Sequence, residues 1–301
     1  MNGILNVYKE KGYTSHDVVQ LLRKWSGQKK VGHTGTLDPE AEGVLPICFG
    51  KGTKVVDYIT GQKKQYKACM RLGITTTTED HTGTIIKQRS VNYDPKSIEK
   101  VLLSFIGKYQ QIPPMYSAIK IKGRRLYELA REGKEVKREP RTVYIDHIEV
   151  TRWIPPDQVE FIVDCSKGTY IRTLCADVGE QLGCGAHMNG LLRTQVGDFH
   201  ISNSFTLEQI AEKIKTQSFH QILMPIAELF QTYPKIYVKE SADRSLRNGH
   251  TIYEKGIDQI QSDAFQERLF CMYTSAGDFI GLYQGTKEQE QVFYKPVKIL
   301  I

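Results

Sequence analysis

The sequence predicts an α+β fold that ends in a small β-rich domain. Amphipathic helical stretches and half-buried strand patterns follow one another without the regular alternation of βαβ winding. The strands alternate apolar and polar residues, as antiparallel strands with one solvated face do. From Tyr233 onward only short β-like runs remain, separated by Gly, Asp and Lys.

Taken in order, Thr14-x-x-Asp17 reads as a capping box. It precedes Val18, Leu21, Leu22 and Trp25, spaced as the buried face of a helix that Gly27 closes. Gln65–Gly73 alternates Tyr66, Ala68, Met70 and Leu72 against Lys67, Cys69 and Arg71, a strand with Tyr66 at the head of its apolar face. Asp94-Pro95 supplies an N-cap and a first-turn proline; Ile98, Val101, Leu102 and Phe105 form a buried stripe, and Gly107 a stop. Gln158–Ser166 alternates Val159, Phe161, Val163 and Cys165. Lys167-Gly168 then turns the chain into a helix marked by Ile171, Leu174, Val178 and Leu182. The late runs KIYVK, RLFCMYT, DFIGLYQG and VFYKPVKIL make the β-rich domain, with one short connector expected between the first two. The expected division is residues 1–230 and 231–301.

A chain of 301 residues exceeds the usual ~100–200 of one domain and can bury a sizeable core. With 40% hydrophobic and 25% charged residues it is neither disordered nor fibrous. No run approaches the ~18 apolar residues of a membrane helix. The opening MNGILNVYKEKG has neither a basic leader nor a long apolar stretch, so a cytoplasmic protein without a membrane partner is expected. Six cysteines without a C-x-x-C pair favour reduced, buried thiols over a zinc ribbon or redox motif. The formal charge of +7 is uneven: +7 over residues 1–110 and +5 over 111–141, against −5 over 142–230 and zero over 231–301. A basic first half suits a polyanion, whose counterions it releases, and equally suits a solvated charged face.

The densest stretch of chemistry-bearing residues is GHTGTLDPEAEGVLP, Gly32–Pro46, which shows neither helical nor strand period and is read as a loop. Pro39 biases Asp38 toward extended geometry, holding the carboxylate at a defined angle, and the glycines leave room for a large ligand. An Asp-Pro turn with no further role fits the same residues. The stretch lacks the G-x-x-x-x-G-K-[ST] of a phosphate loop. One histidine without a cysteine pair or H-E-x-x-H helix is a poor metal site, so neither metal nor cofactor is expected.

GHTGTLDPEAEGVLP closely resembles the catalytic motif G-H-x-G-x-L-D-P of TruB-type pseudouridine synthases, with Asp38 in the place of its aspartate. The resemblance continues in Tyr66-Lys67, in Asp80 and Gly83 of TTTTEDHTG, and in QIPPMYSAIKIKGRRLYELAREG from Gln111 to Gly133. It includes CSKGTYIRTLCADVGEQLGCGA from Cys165 to Ala186 and LLRTQVG from Leu191 to Gly197, so it spans nearly all of residues 1–200 in order. Lys9-Glu10 stands where the family commonly reads Lys-Pro. The C-terminal region is similar to the family's PUA-like RNA-binding domain through Leu246-x-x-Gly249, the strand-like runs and the terminal KPVKILI.

The resemblance implies a large mixed, mainly antiparallel sheet flanked by helices. It also implies isomerisation of the uridine at position 55 in the tRNA T-loop, by base flipping and covalent catalysis through Asp38. An ionised aspartate is already a nucleophile near neutral pH. Arg172 stands in the first turn of a predicted helix, where a cation opposes the macrodipole unless a carboxylate faces it, and the family pairs this arginine with Asp38. By the same resemblance Tyr66 stacks on the flipped base and takes part in removing the C5 proton, and His33 fills the space the nucleotide leaves. Asp80 and Tyr170 contact the base or order the pocket, and Leu191 is an apolar wall. An insertion at about 111–141 folds over the T-arm of the tRNA partner, and no obligatory protein partner is implied. A non-catalytic tRNA-binding or tRNA-folding protein on the same fold is the second reading; loss of the nucleophile would favour it.

Overall fold

The computed structural model describes residues 1–121, 123–261, 268–288 and 291–301. Lys122 of the basic segment lies outside them. The chain begins with β1 (Gly3–Lys9), α1 (Ser15–Ser26), β2 (Val31–His33), β3 (Glu42–Phe49), α2 (Val56–Thr60) and β4 (Lys64–Leu72). A hairpin of β5 (Ile74–Thr76) and β6 (Ile85–Gln88) leads to α3 (Pro95–Leu103) and β7 (Gly107–Gln111). The basic segment holds a small ribbon, β8 (Lys120–Ile121) with β9 (Arg124–Arg125), and α4 (Leu126–Arg131). Then come β10 (Arg141–Ile154), β11 (Gln158–Cys165), α5 (Ile171–Gln181), β12 (Ala186–Val196), β13 (Phe199–His200) and α6 (Leu207–Lys215). The C-terminal part contains β14 (Lys235–Val238), α7 (Glu240–Arg247), β15 (Ile252–Tyr253), β16 (Ile257–Ile260), β17 (Leu269–Tyr273), β18 (Phe279–Glu288) and β19 (Gln291–Ile299).

The first sheet has the order β1-β3-β12-β4-β11-β10-β7, with β2 added on β3 and β13 on β12. β3 and β12 run parallel, and the other neighbours on this path are antiparallel. This is the mixed, mainly antiparallel sheet of an α+β fold. The second sheet has the order β15-β19-β18-β17-β14-β16.

Local sequence explains most of these elements. In α1 the Thr14 hydroxyl accepts from the Asp17 N–H at 3.0 Å and the Asp17 carboxylate accepts from the Thr14 N–H at 2.8 Å. Gly27, at φ 64°, ends the helix. Along β4, Tyr66, Ala68, Met70 and Leu72 are buried, and along β11 so are Val159, Phe161, Val163 and Cys165. Ile98 and Leu102 of α3 and Leu174 and Val178 of α5 close over these strands in one core. Each such side chain, fully buried, contributes roughly 1.5–3 kcal/mol.

Three expectations change. The Gly32–Pro46 stretch is a loop only at 34–41, because β2 and β3 take its ends. β3 lies between β1 and β12, and from Gly43 to Phe49 every residue is buried, so no alternation marks it as a strand. The helix from Pro95 ends at the Ser104 cap, and Gly107 instead opens β7. The interval between KIYVK and RLFCMYT is no short connector: α7, β15 and β16 occupy it. A second core joins the two sheets, with Ile4, Val44, Cys48, Val196 and Phe230 packed in one cluster with Cys271, Leu282 and Leu300. Among the described residues no helix is long and apolar enough to cross a membrane.

Candidate active site

The loop of residues 34–41 leaves the sheet between β2 and β3 and carries Asp38. An Asp-Pro sequence favours a turn, and here the Ala41 N–H donates to the Asp38 C=O at 3.1 Å to close it. The backbone is fixed on both sides of Asp38. On one side the Ser15 hydroxyl accepts from the Leu37 N–H at 2.8 Å and donates to the Leu37 C=O at 3.3 Å. On the other, the Pro39 C=O accepts from the Gly12 N–H at 2.9 Å and from Lys9 Nζ at 3.2 Å. Lys9 Nζ also donates to the carbonyls of Tyr13 at 2.7 Å and Glu10 at 3.0 Å. Three acceptors engage all three ammonium protons, although burial pushes the Lys9 pKa down to about 8. The Lys9–Gly12 segment thus fits against the loop with Glu10 where the family commonly has proline.

Arg172, in the first turn of α5, faces this loop. Its Nε lies 3.1 Å from Asp38 Oδ2 and its Nη2 3.4 Å from Oδ1, a side-on pair. Nη2 also donates to the Tyr116 C=O at 2.8 Å and Nη1 to the Thr78 C=O at 3.2 Å. Asp80 Oδ2 stands 4.0 Å from Nε. Asp80 is itself held by Thr78 Oγ1 at 2.6 Å and by the N–H and hydroxyl of Thr82 at 3.0 and 2.6 Å. The Arg172 side chain is 6% exposed and that of Asp38 38%, so a buried cation backs a carboxylate that remains partly exposed. Burial pushes the Asp38 carboxyl up from its ordinary range, and Arg172 opposes that shift. The ionised form of Asp38 therefore depends on its arginine.

The remaining expected site residues lie on β4, at the start of α5, on β12 and at the end of β2. Tyr66 on β4 is 9% exposed, and burial pushes its hydroxyl pKa up, leaving a neutral phenol at neutral pH. Tyr170 is the N-cap of α5; its N–H donates to Gln111 Oε1 at 2.8 Å and its C=O accepts from Gln111 Nε2 at 2.9 Å. Leu191 on β12 is opposite Ala68 of β4 and packs on the core that contains Leu37 and Tyr66. His33 ends β2, its Nδ1 accepting from the Gly35 N–H at 3.3 Å. Burial, then the Arg193 charge, hold its pKa below the usual value, and no hydrogen bond or ion pair joins it to Asp38 or Arg172. Sequence reasoning missed Ser15, Lys9, Gln111 and the carbonyls of Thr78 and Tyr116. Lys9, Gln111, Thr78 and Tyr116 stand in or beside stretches compared with the family, with no role read for any of them.

The mixed sheet, with an arginine-backed aspartate on a loop at the end of its strands, has the fold of pseudouridine synthases. The chain superposes on a Cbf5-Nop10-Gar1 complex with a TM-score of 0.75 at 27% identity, covering 99% of this chain and 85% of that one. A structure of an H/ACA RNP bound to a substrate RNA containing 2′-deoxyuridine gives a TM-score of 0.74 at 25% identity, with the same coverage. The family model described as TruB family pseudouridylate synthase (N terminal domain) matches residues 23–171. That of the tRNA pseudouridylate synthase B C-terminal domain matches residues 172–231. A protein named tRNA pseudouridine synthase B from Alkaliphilus oremlandii is 49% identical over 100% of this chain and 98% of its own length. One of the same name from Bacillus subtilis (strain 168) is 40% identical at 100% and 98% coverage. The chain belongs to the TruB family of pseudouridylate synthases and is an isomerase.

Proposed function

We propose that this isomerase converts the uridine at position 55 of the tRNA T-loop to pseudouridine, with Asp38 as the nucleophile. The observation that carries the reading is the ion pair itself: a partly exposed carboxylate backed at 3.1 Å by a buried guanidinium. A guanidinium so placed favours the ionised form of Asp38 against burial and aims it, as covalent catalysis needs. The substrate nucleotide leaves its stack, at a few kcal/mol of unstacking. Attack by Asp38 forms a covalent bond to the nucleotide and N1–C1′ breaks; the freed ring turns, C5 bonds to C1′, and the bond to Asp38 breaks to give the carboxylate back. N1 gains a proton and C5 loses one, so there is no net redox change.

The other residues divide the work around that step. Asp80 and the carbonyls of Thr78 and Tyr116 hold Arg172; Tyr66 stacks on the extruded base, with Tyr170 and Leu191 beside it, and His33 fills the space vacated in the RNA. The basic segment at about 111–141 contacts the T-arm. Residues 231–301, with no net charge, add local contacts of a PUA-like domain rather than long-range attraction.

The test is incubation of the purified protein with unmodified tRNA, reading pseudouridine at position 55. Wild-type protein forms it, and Asp38→Asn binds the tRNA with no turnover. An Asn variant within about tenfold of wild type refutes the role of Asp38. A wild-type protein that binds tRNA and modifies nothing is the non-catalytic reading.

A further inference from the structure

Among the described residues, Arg193 is the largest fully buried side chain, at 2% exposed. Its hydrogen-bond partners are backbone carbonyls, and no carboxylate among the described residues lies within ion-pairing distance of it. A buried cation without a counter-ion is costly, and an apolar residue of similar size serves packing better unless the donors are needed. Here the donors fall on the start of the Asp38 loop and on β3 just past its end. Nε donates to the Val44 C=O at 2.7 Å and Nη2 to the Gly35 C=O at 3.2 Å.

The backbone of Arg193 is engaged as well. It pairs with Gly43 across β12 and β3, and a Cβ at Gly43 would stand 2.2 Å from the Arg193 C=O. On its other side Arg193 is the register partner of Tyr66 in β4. One residue therefore touches the start of the loop, the strand just past its end, and the strand that presents the ring.

We infer that Arg193 is a positioning residue for the isomerisation: its guanidinium pins the start of the Asp38 loop and the strand just past its end, while its backbone is paired with Tyr66. Nucleophile and ring are thereby held at one spacing. The inference rests on the proposed reading of Asp38 and goes beyond it, because Arg193 is buried too deeply to touch RNA and acts only through Asp38 and Tyr66. The same charge helps to push down the pKa values of His33, Lys9 and Lys64. A neutral residue at position 193 relieves that repulsion even as it releases the loop, so function and stability separate.

The experiment uses the full chain with Arg193→Met and Arg193→Lys. Single-turnover pseudouridine formation at saturating unmodified tRNA is measured beside tRNA affinity and thermal unfolding. Arg193→Met slows the chemical step by about a hundredfold, the size expected of a loop displaced by ~1 Å, with affinity changed less than about threefold. Arg193→Lys keeps the charge, reaches one of the two carbonyls and recovers part of the rate. A Met variant as fast as the Lys variant, or a loss confined to tRNA affinity, overturns the inference. If Arg193→Met does not fold, Arg193→Lys decides: full wild-type rate overturns it, and a slowed step with intact affinity supports it. Absence of wild-type activity overturns the proposed function and this inference together, whereas an active wild type with an unaffected Arg193→Met overturns the inference alone.

Discussion

Arg172→Lys keeps the charge beside Asp38 and removes the shape that distributes it. The guanidinium serves four oxygens: both of Asp38, at 3.1 and 3.4 Å, and the carbonyls of Thr78 and Tyr116, at 3.2 and 2.8 Å. An ammonium has three protons on one atom and cannot span that fan, so about two of the four acceptors lose their donor. A buried acceptor left without a partner costs about 1–3 kcal/mol, which puts the loss at about 2–6 kcal/mol. If the transition state bears about 3–5 kcal/mol of it, the chemical step slows by about 10²–10⁴. Affinity for tRNA holds, since the Arg172 side chain is 6% exposed and bonded to protein groups. The assay is a single-turnover time course at saturating tRNA, with affinity measured separately. A Lys variant within about tenfold of the wild-type rate refutes the argument that the side-on geometry matters.

Other outcomes follow from the same geometry. Because burial raises the Asp38 carboxyl and attack needs its ionised form, activity is present above its pKa and lost as pH falls through it. The acid limb of the single-turnover rate therefore lies above the ordinary carboxylate value of about 3.9, and Arg172→Met moves the residual limb higher still; a limb at or below that value counts against the burial argument. Tyr66→Phe retains the stacking ring and Tyr66→Ala loses it, so the Ala variant is the slower; two variants that match the parent make Tyr66 a packing residue. Gly43→Ala places a Cβ 2.2 Å from the Arg193 carbonyl at a φ of 106°, and costs about 2–4 kcal/mol in urea unfolding. An Ala variant as stable as the parent shows that the strand yields there.

The elements legible in the sequence were those with one wet face and a stereochemical end marker. α1 has its reciprocal cap and its glycine, β4 and β11 alternate strictly, and α5 follows a Lys-Gly turn. β3 was illegible because neighbours cover it and its burial leaves no period. α7 was illegible because it buries Leu246 and little else. At the site, the resemblance led to Asp38 and Arg172, and the two lie within contact of each other. What holds them was hidden for two reasons. Carbonyl acceptors such as those of Thr78 and Tyr116 carry no residue-type signal. Ser15, Lys9, Gln111 and Arg193 belong to types that are mostly exposed, and only the fold shows that they are buried.

The core shared by the two sheets gives the C-terminal part a mechanical meaning. Phe230 meets Tyr58 edge-on at 5.2 Å, and Lys54 and the end of β19 exchange bonds: Lys54 Nζ to the Ile299 C=O and Lys298 Nζ to the Lys54 C=O, each at 2.7 Å. Val44 and Cys48 belong to that same cluster and to β3, the strand that anchors the far end of the Asp38 loop. The two sheets are thus welded rather than tethered. Removing residues 231–301 strips the cover from this apolar seam, so the shortened chain is less stable as well as short of contacts. In the intact chain the seam acts as a gauge: on the proposed function, any RNA contact made by the second sheet sits at one set distance from Asp38, and an RNA whose arms are spaced differently cannot engage both.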